Sequence, residues 1–195
     1  AEEAEQAQSL PRMERALVHV DASHNGQFTS SLAGLFAARH NLLTTLLEAD
    51  NGDDEGTAPL ASRERWLAAA RSAQNAPKPP GQPASRAAVP SLDGLLQARS
   101  ARPDAVTREI AKGYDIAFVG LDQPLSSVAS RFEEPLHGLI ASFDGPVAIL
   151  MNAADRVLAP GSPLHVLIPT GGSSDSRLAT EVALTLAGAS RGTLT

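Results

Sequence analysis

Short apolar runs set apart by longer stretches of helical periodicity are what most constrain the fold. Ala16-Leu17-Val18-His19-Val20, Leu42 to Leu47, Ile116-Ala117-Phe118-Val119-Gly120 and Pro146-Val147-Ala148-Ile149-Leu150 are apolar at most positions, without alternation. A strand with one wet face alternates apolar with polar; a continuous run needs cover on both faces. Between the runs the period changes to that of a helix. Phe28, Leu32, Leu35 and Phe36 form an i, i+4, i+7, i+8 stripe from Gln27 to His40. Leu60 to Ser72 carries Trp66, Leu67 and Ala70 on one side. Pro103 to Lys112 has proline in its first turn, and Arg131 to Phe143 is interrupted by Pro135 near its start. Leu92 to Ala98 supplies a weaker third strand. Strands alternating with helices predict an α/β fold: a parallel sheet of five strands with four helices on its two faces, over residues 14–153.

Composition sets the limits. Hydrophobic residues make up 43% of the 195 and aromatics only 4%, so the core must be aliphatic. The net charge of -6 lacks the basic footprint that a nucleic-acid binder needs. Cysteine is absent, which excludes disulfides, thiol chemistry and cysteine-ligated metal, and is in keeping with a cytosolic setting. No apolar run approaches the roughly 20 residues that span a bilayer. Residues 1–13 open as Ala1-Glu2-Glu3-Ala4-Glu5, acidic where a signal peptide would be basic and then apolar. The closing Arg191-Gly192-Thr193-Leu194-Thr195 reads as the entry to a strand, so the chain is expected to be a piece of a longer protein. Asp50 to Gly56 is an acidic loop, and residues 75–90 hold five of the 14 prolines, a loop or disordered insert.

After a linker at 154–164 the pattern restarts over 165–195, with a strand at His165 to Ile168, a turn at Gly171-Gly172-Ser173 and a helix from Ser174 to Gly188. Gly171 lies 150 positions after Asp21, and at that offset Ser173 falls on Ser23, Leu178 on Phe28, Val182 on Leu32 and Leu186 on Phe36. A shared turn serine with the stripe in register predicts one complete unit followed by the opening of a second. The partial unit, lacking a fifth strand, is expected to pair between chains, docking wherever its apolar helix face of Leu178, Val182 and Leu186 finds cover.

Val18-His19-Val20-Asp21-Ala22-Ser23 is similar to the Val-x-Val-Asp-x-Ser opening of universal stress protein domains. Val166-Leu167-Ile168-Pro169-Thr170-Gly171-Gly172-Ser173 resembles the same opening with Gly171 in place of the aspartate. Lys112-Gly113-Tyr114-Asp115 followed by Ile116 to Gly120 resembles that family's fourth strand, and Gly145-Pro146-Val147-Ala148-Ile149-Leu150 its fifth. The resemblance implies a flavodoxin-like, universal-stress-protein-like sheet with a partial second repeat. Tandem units with Lys-Gly-Tyr-Asp before strand four and Phe-Asp-Gly-Pro before strand five look more narrowly like the cytoplasmic C-terminal region of bacterial monovalent cation:proton antiporters of the Kef-like group. That implies a regulatory tail on the cytoplasmic face of the bacterial inner membrane. Its partners would be the membrane antiporter domain of the same polypeptide and a second copy, as a homodimer.

Many stress-domain relatives bind ATP at the carboxyl ends of the strands, where strand order reverses. By that resemblance the cofactor-binding candidates are Asp21, Ser23, Gly120, Ser126 and Ser130, with Asp21 placed for a ribose or base. The family's phosphate loop reads Gly-x-x-Gly and later Gly-Ser/Thr. This chain keeps Gly120 but has Gln123 at the second glycine, and Glu133 and Glu134 fall at the Gly-Ser pair. Two carboxylates there repel a triphosphate, so no cofactor is expected, with ATP or AMP the exceptions to test. An aspartate ending a strand is also an ordinary turn residue. No metal site is expected: His19, His24, His40, His137 and His165 are scattered, and Asp53-Asp54-Glu55 lacks calcium-loop spacing. Ser173-Ser174-Asp175-Ser176 reads as a helix N-terminus. Neither Gly-x-Ser-x-Gly nor Gly-Lys-Ser/Thr occurs, and no acid/base pair is identifiable. The expected function is therefore a non-catalytic regulatory domain of an antiporter. The alternatives are a free-standing adenine-nucleotide-binding stress protein and a phosphate-handling enzyme on the same kind of sheet.

Overall fold

The computed structural model describes residues 13–20, 23–48, 58–75, 92–96, 103–120, 134–152, 158–159, 161–169, 171 and 173–195. Along the chain run β1 (Arg15–Val20), α1 (His24–His40), β2 (Leu43–Glu48), α2 (Ala58–Gln74), β3 (Leu92–Leu96), α3 (Pro103–Ile110), β4 (Ile116–Gly120), α4 (Glu134–Ser142) and β5 (Val147–Leu150). The protein is α/β, with a parallel sheet ordered β3-β2-β1-β4-β5. β1 is central because it is apolar on both faces. Ala16, Val18 and Val20 point to the side covered by α1 and α2, together with Leu46, Ile116 and Phe118. Leu17 points the other way with Leu47, Ala117 and Val119, into a smaller cluster closed by Ile110 of α3 and by Leu139 and Phe143 at α4. The acidic loop and almost all of the proline-rich insert lie outside the described residues.

Helix ends depart from the sequence expectation where caps decide them. α1 begins at His24, ahead of the expected Gln27, because Ser23 at ψ 168° accepts a hydrogen bond from Gly26 N at 3.1 Å. It ends at Asn41, which takes the left-handed φ of 56°. Pro135 does not interrupt α4; the helix starts at Glu134, so the proline stands in the first turn, where its missing N–H costs nothing. The single stripe expected on α1 is a correction of a different kind. From Asn25 to Ala37 every residue but Gln27 and Phe28 is buried, since the sheet, α2 and a later helix enclose α1. α2 approaches so closely that a Cβ on Gly34 would meet the Trp66 carbonyl oxygen at 2.6 Å.

The later helix is α5 (Ser174–Ser190), between β6 (His165–Val166) and β7 (Thr193–Leu194), which pair in parallel as a separate two-stranded sheet. Hydrogen bonds of the first unit recur here 150 positions on. Arg15↔Leu43 in register becomes His165↔Thr193. Ser176 N donates to the cap oxygen of Ser173 at 3.2 Å, as Gly26 N does to Ser23. Gly192 N donates to Ala187 O as Leu42 N does to Ala37 O, and Thr193 N to Leu164 O as Leu43 N does to Glu14 O. Both helices have 17 residues and both end on a left-handed residue, Asn41 or Arg191 at φ 56° and 57°. α5 finds its cover within the chain: Val182, Leu186 and Ala189 join the core cluster around α1. Leu167, by contrast, is 77% exposed where Leu17 is fully buried. No helix among the described residues is long and apolar enough to cross a membrane.

Candidate functional site

β1 and β4 are neighbours whose connections leave the sheet in opposite directions, and in open parallel sheets it is the carboxyl ends of such a strand pair that take ligands. Of the candidates there, Ser23 and Gly120 are described; Asp21, Ser126 and Ser130, with Gln123 and Glu133, lie outside the described residues. Ser23 is placed as the α1 cap, its hydroxyl oxygen engaged by Gly26 N. Gly120 ends β4 opposite Leu150 of β5. Its lack of a side chain has a local cause. A Cβ at Gly120 would lie 2.6 Å from Thr29 Oγ1 and 3.3 Å from Asn25 Nδ2, both on α1. Glycine therefore lets α1 seat against β4, independently of any phosphate.

Asn25 and Thr29 are the site residues that sequence reasoning passed over. Asn25 is 3% exposed and Thr29 fully buried. Asn25 Nδ2 donates to Leu150 O at 3.1 Å, tying the first turn of α1 to the end of β5. Among the described residues, Asn25 Oδ1 and Thr29 Oγ1 have no hydrogen-bond partner. Asn25 Oδ1 is an acceptor and Thr29 Oγ1 either a donor or an acceptor, whereas a phosphate cradle presents N–H groups. The legible signal was their i, i+4 spacing, which puts both polar groups on one side of α1.

A second polar cluster sits at the opposite, amino end of the same two strands. Asp115 Oδ2 accepts from Glu14 N at 2.7 Å and from Arg15 N at 2.8 Å, and Asp115 N donates to Arg15 O at 2.9 Å. The guanidinium of Arg15 lies 4.5 Å over the Tyr114 ring and donates from Nη1 to Lys112 O at 2.6 Å. Tyr114 Oη is hydrogen-bonded to the Glu109 carboxylate and, at 3.0 Å, to Thr45 Oγ1. Lys112 Nζ closes on Glu109 Oε2 at 2.5 Å. Burial, then the hydrogen bond to Glu109, raises the phenol's pKa above its ordinary 10.0. The Lys-Gly-Tyr-Asp segment thus fixes the β1–β4 register from below, and it lines no crevice at the ligand end.

The four histidines whose side chains are described stay apart. His19 stands late in β1, His24 opens α1, His40 ends it, and His165 Nδ1 lies 2.7 Å from Thr193 Oγ1 across β6 and β7. Among the described residues no group of three or more His, Asp or Glu side chains is placed to hold a metal ion. Neither a protein-family model nor a curated protein matches this chain.

Proposed function

We propose that the chain is a regulatory, non-catalytic domain of a bacterial monovalent cation:proton antiporter, on the cytoplasmic face of the inner membrane. In this reading a universal-stress-like, five-stranded unit is followed by the opening of a second copy. The carrying observation is the 150-position correspondence of caps, register and hydrogen bonds between β1–α1–β2 and β6–α5–β7. Tandem units of that kind are what the resemblance attributes to such antiporter tails, and the Lys112-Gly113-Tyr114-Asp115 segment stands ahead of β4 where it expects. In this reading the domain works by conformation and association, with the membrane domain of its own polypeptide and a second copy as partners.

Cation-dependent proton exchange in everted vesicles from the complete gene product tests this. Deleting residues 14–195 is expected to leave exchange in place and change its regulation. A complete reading frame without hydropathic segments refutes the proposal. A free-standing adenine-nucleotide-binding stress protein is the second reading, favoured by Ser23 just beyond β1 and Gly120 at the end of β4, two of the candidates that the resemblance names. Calorimetry with ATP and AMP decides that point. Micromolar ATP binding that Glu133→Gly does not improve counts against charge repulsion.

A further inference from the structure

α5 is held on α1 by the apolar seam of Val182, Leu186 and Ala189 and, at one place, by a titratable ring. His40 is the last residue of α1. Its ring packs on Phe36, with centroids 4.5 Å apart and planes at 34°, and Phe36 in turn packs on Phe118 of the sheet. The outer nitrogen, Nε2, lies 3.1 Å from Thr185 Oγ1 of α5. One imidazole thus touches the core of the first unit and the helix of the second.

We propose that His40 is a proton-operated latch: uncharged, it lies in the seam and binds Thr185; charged, it leaves the seam and α5 loosens from α1. The surroundings explain the direction. On α1 the neighbouring charge is Arg39, a cation, whose Nη2 would lie 3.6 Å from a Cβ on Gly188 of α5. On α5 the ring meets the neutral Thr185. The ionisable residues flanking Thr185 on that side of the chain are Glu181 and Arg191, and Arg191 Nη2 is engaged by Asn75 O, beyond α2, at 3.2 Å. The carboxyl end of α1 favours a cation. Burial, and then the Arg39 charge, outweigh it and hold His40 below its ordinary 6.5. A histidine whose folded pKa is depressed binds fewer protons folded than free. Docking is therefore complete above pH 6.5 and weakens as the pH falls below that value. The latch is independent of the antiporter reading.

Hydrogen exchange of the full chain, corrected for intrinsic rates between pH 7.5 and 5, tests the latch. Amides of α5 should lose protection below pH 6.5. One linked proton gives a slope of up to about tenfold per pH unit. β1 and β4 should keep their protection. His40→Gln retains a polar partner for Thr185 and should flatten the α5 response. Arg39→Gln, which leaves the ring in place, should weaken it. α5 protection that does not change with pH, or that falls equally in His40→Gln, overturns the proposal. So does an NMR titration of His40 with a midpoint above 6.5.

Discussion

Gly120→Ala separates two roles for the glycine at the end of β4. If Gly120 serves packing, the new methyl meets Thr29 Oγ1 at 2.6 Å and Asn25 Nδ2 at 3.3 Å. Neither neighbour has room to yield. Thr29 is fully buried, and Asn25 is tethered to Leu150 O. Overpacking of this kind costs about 1–3 kcal/mol. The loss of glycine's freedom in the unfolded chain returns about 0.4–1 kcal/mol, because φ at Gly120 is not positive. A net destabilisation of about 1–2 kcal/mol is expected, a fall of roughly 2–4 °C in Tm per kcal/mol for a chain of this size. Trp66, the one tryptophan and fully buried, reports urea unfolding by fluorescence. Thr29→Ala removes the obstructing hydroxyl, so Gly120→Ala placed on Thr29→Ala should lose most of its cost. Equal costs in the two backgrounds would refute the packing role. So would a neutral Gly120→Ala, particularly one that altered nucleotide binding.

The remaining predictions concern the amino end of the sheet and the helix pair above it. Asp115→Ala removes the acceptor of two backbone N–H groups and should destabilise by about 1–2 kcal/mol in urea unfolding, with Asp115→Asn less affected. Gly34→Ala drives a methyl into the Trp66 carbonyl and should cost about 1–3 kcal/mol, with a red shift of Trp66 emission as α2 moves outward. The single tyrosine, Tyr114, should titrate above pH 10.0 by absorbance, and Glu109→Gln should bring it down. Since its folded pKa is the higher, the stability it contributes is whole below pH 10.0 and is lost as the pH rises through the folded value.

The sequence revealed the α/β alternation because the strand runs are apolar at consecutive positions, a pattern that requires cover on both sides. β4 was located to the residue, at Ile116–Gly120, since Asp115 and Gly120 bound an unbroken apolar run. Helix starts were less legible: whether α1 began at the turn or after it depended on one serine hydroxyl reaching Gly26 N. The envelope of α1 was hidden for a different reason. Its serines and threonines look polar in a pattern, yet Thr29, Ser30 and Ser31 are buried because small side chains let three layers meet around one helix. At the site, a turn serine and a strand-end glycine pointed to a ligand, while both have uses in the fold. The neighbours that give Gly120 its reason, Asn25 and Thr29, come from the far side of the crossover, and only packing brings them beside it.

The register of β1 also sets the order in which the chain can assemble. β1 pairs with β2 across a short separation, Arg15↔Leu43, and with β4 across a long one, Ala16↔Ile116. Closing the longer loop carries the larger entropy cost, so β1–α1–β2 can form while the other edge of β1 waits. A second short-range parallel pairing across one helix lies at His165↔Thr193. During synthesis β4 and β5 emerge before β6, which gives the first nucleus its own partner before a competitor exists. Refolding from denaturant removes that precedence. Two similar edges then compete for one strand, and mispaired traps should slow recovery in the test tube relative to the ribosome.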